Sequence, residues 1–296
     1  MHDLAGLDAV LGGLNTGTAT KVFQVDDGYT KVGDWQTPDP AKFPRGLAPV
    51  AAAARDRGYL PGLWMAPFVC ERESRLFSEH PDWLLHGQGG ELVTTGSQWS
   101  GQVALDTQVP EVRAYVTACL RNATQNWDFG FLKLDFLYGA CMLPHAGLNR
   151  GELMADALGL IREAVGEDVL VDLCGVPMTL AFGRGEYSRV GCDVGLDWDD
   201  KPWMRLLHRE RVSTKNSLAN TRGRAHLNGV ALGADPDVFF LRRDVRLTDA
   251  QRTALLEADV AHGSILFTSD DMGAWDADQL ATYRSAVARF VDARAR

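Results

Sequence analysis

The sequence has little of what a metal, a nucleic acid or a membrane would demand. Its five cysteines (Cys70, Cys119, Cys141, Cys174 and Cys192) are odd in number and have no CxxC spacing. That suits reduced thiols, and it offers neither a disulfide framework nor a zinc site. The seven histidines form neither HxH nor HExxH, so a metallohydrolase is disfavoured. Basic residues number 30 against 39 acidic ones, for a net charge of −9, without a dense Lys/Arg block. This argues against a nucleic-acid partner. No run of 18 apolar residues occurs, and the first residues, MHDLAGLDAVLGGLNTG, lack the basic leader and long apolar stretch of a signal peptide. A cytoplasmic protein without membrane contact is the expectation.

What is present is enough apolar material for one large core: 46% of 296 residues are hydrophobic. Seven strand candidates are readable: VFQVDD (22–27), LPGLWMAP (60–67), FLKLDFL (131–137), DVLVDLCG (168–175), SRVGCDVG (188–195), DVFFL (237–241) and SILFTSD (264–270). Between them lie helix-like stretches such as RGLAPVAAAARDRG, PEVRAYVTACLRNATQNW, RGELMADALGLIREAVG and LTDAQRTALLEADVAHG, several of them opening on Pro, Thr or Asp and closing on Gly. Alternating β and α units imply a parallel sheet covered by helices. With no proline-rich or low-complexity linker, residues 1–296 read as a single domain, an α/β TIM-type (β/α)8 barrel with seven of its eight parallel strands readable. The chain opens on a helix-like segment, DLAGLDAVLGGLN, so the first strand is the one expected to be lacking. An open seam would expose strand edges and favour association into a homo-oligomer.

The polar anomalies cluster at strand ends, which in a parallel barrel converge on one mouth. In GFLKLDFLYG the alternation of a strand puts Phe131, Lys133 and Asp135 on one face. Two readings remain: a buried structural ion pair, or a catalytic carboxylate with a positioning cation. Asp135 and Asp193 each end an apolar strand, and two carboxylates flanking a scissile bond are what glycoside hydrolysis requires. Arg189, four residues before Asp193, reads as its partner on the same strand face, either in a site or in a strand-end salt bridge. Asp26 and Asp27 precede Gly28 in VDDGYTKVGDW; as adjacent carboxylates they need donors, and either a polyol or turn capping would serve. Trp35, Trp64, Trp198 and Trp203 offer faces for a sugar or for the core. Cys174 reads as a pocket wall or as packing, and His80 in EHPDW as a helix end. Asp270 and Asp271 read as caps of the following helix, and Asp235 and Asp237 in ADPDVFF as turn and strand-entry residues.

Taken in order, FQVDDGY with GDW downstream, GLWMAPF followed by HPDW, KLDF, the Cys-bearing DLCG, RVGCD, and DPDVFFLR then FTSDD resemble the catalytic barrel of glycoside hydrolase family 36. These are the α-galactosidases also called melibiases. The resemblance runs from residue 20 to residue 275 and implies a retaining exo-acting enzyme that cleaves terminal α-galactosyl residues through a covalent glycosyl-enzyme intermediate. It implies Asp135 as nucleophile, Asp193 as general acid and then base, and Asp26 and Asp27 on the galactose 4- and 6-hydroxyls. It also puts Lys133 on neighbouring hydroxyls and Arg189 on the 2-hydroxyl side, with Trp64 and Cys174 lining the pocket, and it implies no metal or organic cofactor. Relatives carry a tryptophan-bearing first strand upstream and β-rich domains on both sides, so a barrel truncated at its N-terminus, without flanking β-sandwich domains, is expected here. DLCGVPMTLAFGRG keeps the Cys but lacks the glycine cluster of many relatives, which leaves a 2-acetamido sugar open. An α-N-acetylgalactosaminidase, a transglycosylase and a catalytically weak carbohydrate-binding barrel are the alternatives.

Overall fold

The computed structural model describes residues 20–198 and 212–294. The helix-like segment expected before residue 20, and Trp203, lie outside the described residues. The chain divides into two compact units, Val22–Glu186 and, together with Thr20 and Lys21, the described residues from Tyr187 onward.

The first unit runs β1 (Val22–Val25), α1 (Ala48–Arg55), β2 (Leu60–Met65), β3 (Val69–Glu71), β4 (Thr94–Gly96), β5 (Gln102–Ala104), α2 (Pro110–Arg121), β6 (Phe131–Leu134), α3 (Arg150–Val165) and β7 (Leu170–Leu173). The helices begin and end where local chemistry says they should. Proline occupies the first turn of α1 and of α2, where its missing N–H costs nothing. In α3, Asn149 and Glu152 form a reciprocal capping box, and Gly166 at φ 75° takes the chain out.

Four of these strands pair in parallel in the order β1-β2-β6-β7. The register aligns Gly62 with Phe131, and one pleat further on aligns Trp64 with Lys133 and Lys133 with Asp172. Gly62 is required by its row: a Cβ there would lie 3.0 Å from Val22 Cγ1 and 3.2 Å from Phe131 Cδ1. On alternate positions Leu63, Leu132, Leu134, Val171 and Leu173 are buried in a core shared with Val112 and Val116 of α2 and Leu153 and Ile161 of α3. Apolar side chains therefore fill one face of the strands while Lys133 and Asp172 take the other, as period-2 alternation requires.

After β2 the chain makes an excursion that the sequence reading did not anticipate, an antiparallel sheet in the order β3-β5-β4. The motif pieces GDW and HPDW serve structure here. Asp34 accepts from the backbone N–H groups of Arg75 (2.9 Å) and Leu76 (3.1 Å), at the start of the short helix Arg75–Glu79. Trp35 is buried, and His80, at the end of that helix as expected, stacks on Trp83 at 3.8 Å.

The second unit runs β8 (Tyr187–Arg189), α4 (Thr214–Gly223), β9 (Gly233–Asp235), β10 (Val238–Phe239), α5 (Asp249–His262), β11 (Phe267–Thr268) and α6 (Ala277–Arg294). β8 pairs in parallel with β9, and β10 with β11. Phe239, Leu255, Leu256, Val260, Trp275 and Phe290 form its core.

The expectation of seven parallel strands is corrected: with β9, eight strands have a parallel partner among the described residues. β9 reads Gly-Ala-Asp and has no apolar run to betray it. Asp270 is also corrected. Its Oδ2 accepts from the N–H groups of Leu241 (2.7 Å) and Arg242 (2.8 Å) and from Trp275 Nε1 (3.1 Å), so it ties the exit of β10 to the exit of β11 and caps no helix. Asp271 does accept from Gly273 N–H at the start of a 3-10 turn. Among the described residues no helix is long and apolar enough to cross a membrane.

Gly33 is the tightest backbone approach in the GDW loop. Its φ is 112°, and an added Cβ would meet Cys70 Cβ at 2.8 Å. Gly33→Ala is expected to lower unfolding stability by roughly 1–3 kcal/mol in urea denaturation, and an unchanged midpoint would contradict the packing described.

Candidate active site

In the first unit, polar groups gather where the parallel strands end. Asp135 follows the last residue of β6, and its N–H continues the ladder to Met65 O at 2.8 Å. Its two oxygens have different donors: Oδ2 accepts from Trp64 Nε1 at 3.2 Å and Oδ1 from the N–H of Phe136 at 2.7 Å. Phe136 takes φ 51°, a left-handed conformation that an aromatic residue seldom adopts and that turns the chain sharply beyond the carboxylate. Such strain costs about 1–3 kcal/mol and tends to collect at functional sites.

Asp26 and Asp27 follow β1 and are exposed. Asp26 accepts from Gln24 Nε2 (2.6 Å) and from the N–H of Asp27 (2.8 Å). Lys133 Nζ lies 3.4 Å from Asp26 Oδ2; the lysine side chain is only 13% exposed against 54% for the aspartate. Lys133 and Asp26 thus belong to one polar cluster, although they are 107 residues apart in sequence. Asp27 Oδ2 accepts from Trp99 Nε1 at 2.7 Å. Cys174 is buried just past β7, and its backbone laces the ends together: its N–H donates to Leu134 O (2.8 Å) and its carbonyl accepts from Leu137 N–H (3.2 Å).

The second unit holds the other candidates around one guanidinium. Arg189, at the end of β8 and 6% exposed in its side chain, uses three nitrogens on three carboxylates. Nη1 reaches Asp193 Oδ1 at 2.6 Å, Nε reaches Asp235 Oδ2 at 2.8 Å, and Nη2 reaches Asp237 Oδ1 at 2.8 Å. Asp235 and Asp237 are buried, whereas the Asp193 side chain is 53% exposed. The buried acids fix the arginine, and the arginine fixes the exposed acid. The pair was expected to share one strand face; instead β8 stops at Arg189 and Asp193 comes round on the following loop. Asp235 and Asp237 are a correction to the turn and strand-entry reading. Asp235 is the last residue of β9, and Asp237, at φ 80°, places its Oδ2 2.7 Å from the N–H of Val194.

Burial pushes the Cys70 thiol up to about 12 and the Cys119 thiol up to about 11, so neither supplies a thiolate near neutral pH.

The sequence reading missed Trp99, Asp235, Asp237 and Asp259 as members of these clusters. Trp99 stood alone in a polar stretch, TTGSQWSG, and Asp259 looked like one more helix-face acid. The only signal for Asp235 and Asp237 was two acids bracketing a proline before an apolar run.

The melibiase family model matches residues 17–148. The chain is 34% identical over 128 residues to alpha-galactosidase 2 of Pediococcus pentosaceus, which covers 42% of this chain and 17% of that protein. It is 30% identical over 160 residues to alpha-galactosidase 2 of Hypocrea jecorina, 48% of this chain and 20% of that one. The α-galactosidase of Thermus thermophilus, solved with stachyose, superposes with a TM-score of 0.82 at 32% identity, over 95% of this chain and 60% of its own. The chain resembles the melibiases. It spans about a fifth of the length of these curated relatives. The α-galactosidase of Lactobacillus brevis, at 19% identity and a TM-score of 0.68, shares the melibiase-like fold.

Asp259, on α5, is buried, and neither of its carboxyl oxygens has a hydrogen-bond partner among the described residues. Burial first, then the charges of Asp237 and Asp235, push it well above the usual carboxylate range. The folded chain therefore holds a proton that the unfolded chain releases above about pH 4, so this group's contribution to stability falls as pH rises through that region. Asp259→Asn removes the penalty. Urea denaturation is expected to show the variant gaining on wild type from pH 4 towards pH 7, by at most about 1.4 kcal/mol per pH unit. A difference that does not change with pH would contradict the assignment.

Proposed function

We propose that the chain is a catalytic region of a retaining exo-α-galactosidase of the TIM-type (β/α)8 class. Asp135 is the nucleophile and Asp193 the acid and base. The observation that carries this reading is Asp135 itself, a strand-end carboxylate aimed by an indole N–H and a backbone N–H in a chain that resembles the melibiases. Supporting it, the Thermus thermophilus α-galactosidase was solved with stachyose and with p-nitrophenyl α-D-galactopyranoside.

In the first half-reaction Asp135 attacks the anomeric carbon while Asp193 gives a proton to the leaving oxygen; in the second, Asp193 takes a proton from a water whose oxygen bonds to the anomeric carbon as the bond to Asp135 breaks, which releases the sugar. The two donors on Asp135 hold its carboxylate pointed, as a nucleophile requires. Arg189 has a different task. It holds Asp193 in place, and the buried Asp235 and Asp237 hold its other two nitrogens. Asp26 and Asp27 accept from the 4- and 6-hydroxyls and Lys133 donates to neighbouring oxygens, while Trp64 and Cys174 form walls. An equatorial 4-hydroxyl would leave a carboxylate without its donor, which disfavours glucosides.

Release of p-nitrophenol from p-nitrophenyl α-galactoside tests the reading, with the α-glucoside and the α-N-acetylgalactosaminide alongside. Turnover of the galactoside is expected, falling by roughly 10³-fold or more in Asp135→Ala. Folded wild-type protein that binds galactose and turns over none of the three substrates would mark a carbohydrate-binding barrel instead.

A further inference from the structure

Trp99 has no role in the proposed reaction as described so far, yet four features set it apart from a packing tryptophan. Its Nε1–H donates to Asp27 Oδ2 at 2.7 Å, a charge-assisted hydrogen bond of the stronger class. It is 36% exposed, whereas Trp35, Trp64 and Trp275 are all buried. Its backbone lies in the left-handed region, φ 53°, which is unfavourable for a bulky side chain. Finally, its ring lies between two residues that belong to Asp135. It is 5.9 Å from Trp64, whose N–H reaches that carboxylate, and 5.5 Å edge-on from Phe136, whose backbone N–H does the same.

The strained conformation is held from outside the ring. Ser100 Oγ donates to the buried Glu71 Oε2 at 2.9 Å and accepts from the N–H of Glu73 at 3.0 Å. The carbonyl of Gly101 accepts from Arg72 N–H at 3.2 Å, and Gly101 itself takes φ 99°. Glu71 also accepts from the N–H of Val32 in the GDW loop at 3.0 Å. The β4–β5 connection is thus anchored at the two residues that follow Trp99, whose local geometry is unfavourable. Strain that the surroundings enforce in this way points to a functional purpose.

We propose that Trp99 is a positioning residue that sets the sugar selectivity of the site. Its indole N–H occupies one oxygen of Asp27, leaving the other to accept from a sugar hydroxyl in a single direction. An exposed aspartate with two equivalent oxygens could follow either epimer by turning about its side chain; one oxygen tied to an indole cannot. The selectivity against the equatorial epimer proposed above therefore depends on Trp99 as well as on Asp27. This inference rests on the α-galactosidase reading and adds to it a residue on a loop outside the parallel strands.

The test is Trp99→Phe, which keeps an aromatic ring against Trp64 and Phe136 and loses the N–H. Its melting temperature and circular dichroism are compared with wild type so that a folding defect is recognised, and Asp27→Asn and the double variant complete a cycle. With p-nitrophenyl α-galactoside, KM is expected to rise about tenfold in Trp99→Phe, with kcat within about threefold, and the preference for galactoside over glucoside to fall. The double variant is expected to match Asp27→Asn alone, since both substitutions break the same link. A KM and sugar preference unchanged in folded Trp99→Phe, or effects that multiply in the double variant, would overturn the inference and leave the enzymatic reading standing. If the wild type hydrolyses no galactoside, that reading falls, and galactose affinity by titration calorimetry replaces KM. Weakening of about tenfold in Trp99→Phe then supports the role of Trp99, and a wild type that binds no galactose overturns both.

Discussion

Carboxylates gathered at strand ends repel one another, and the arrangement described depends on the donors set against them. Asp135 has an indole and a backbone N–H, Asp27 has another indole, and Asp26 has an amide and an ammonium. Asp193, Asp235 and Asp237 share a single guanidinium. The indoles, the ammonium and the guanidinium come from other strands or loops, so register and loop path decide which acid they hold. The row that aligns Trp64 with Lys133 and Asp172 is one such decision. A one-residue slip would send all three side chains to the apolar face.

Much of this was legible in the sequence because it follows from alternation and strong local signals. The shared face of Phe131, Lys133 and Asp135 follows from period 2. The helices at α1, α2, α3 and α5 announce themselves by proline, a capping box or a closing glycine. What stayed hidden depends on contacts between distant residues or on segments with no periodicity. β9 is three residues long and ends on an aspartate. The β3-β5-β4 sheet is an excursion of short strands. Trp99 could not be paired with Asp27 across 72 residues without the loop path. The reading of Arg189 and Asp193 was right about the pairing and wrong about the means, since a loop and not a strand brings them together.

Two left-handed aromatic residues in the first unit, Trp99 and Phe136, meet in a T-shaped ring contact. Each pays a local conformational penalty, and each stands beside a carboxylate that the proposed chemistry uses. The second unit shows the same habit at Asp237. Stability is surrendered where side chains must be aimed, and the packed strand faces and capped helices supply the compensation. Asp259 is another local cost in the second unit: its buried carboxyl has no hydrogen-bond partner among the described residues, and burial pushes it well above the usual carboxylate range.

The account stands most directly on Asp135 forming a bond to the sugar. A fluorinated α-galactosyl fluoride that forms the glycosyl-enzyme quickly and releases it slowly would be incubated with the chain, and the product examined by intact mass and peptide mapping. The account predicts a gain of one fluorogalactosyl group, located on the peptide that contains GFLKLDF and on Asp135 within it. Hydrolysis of α-galactosides by a chain that takes up no label, or a label carried by another residue, would contradict it.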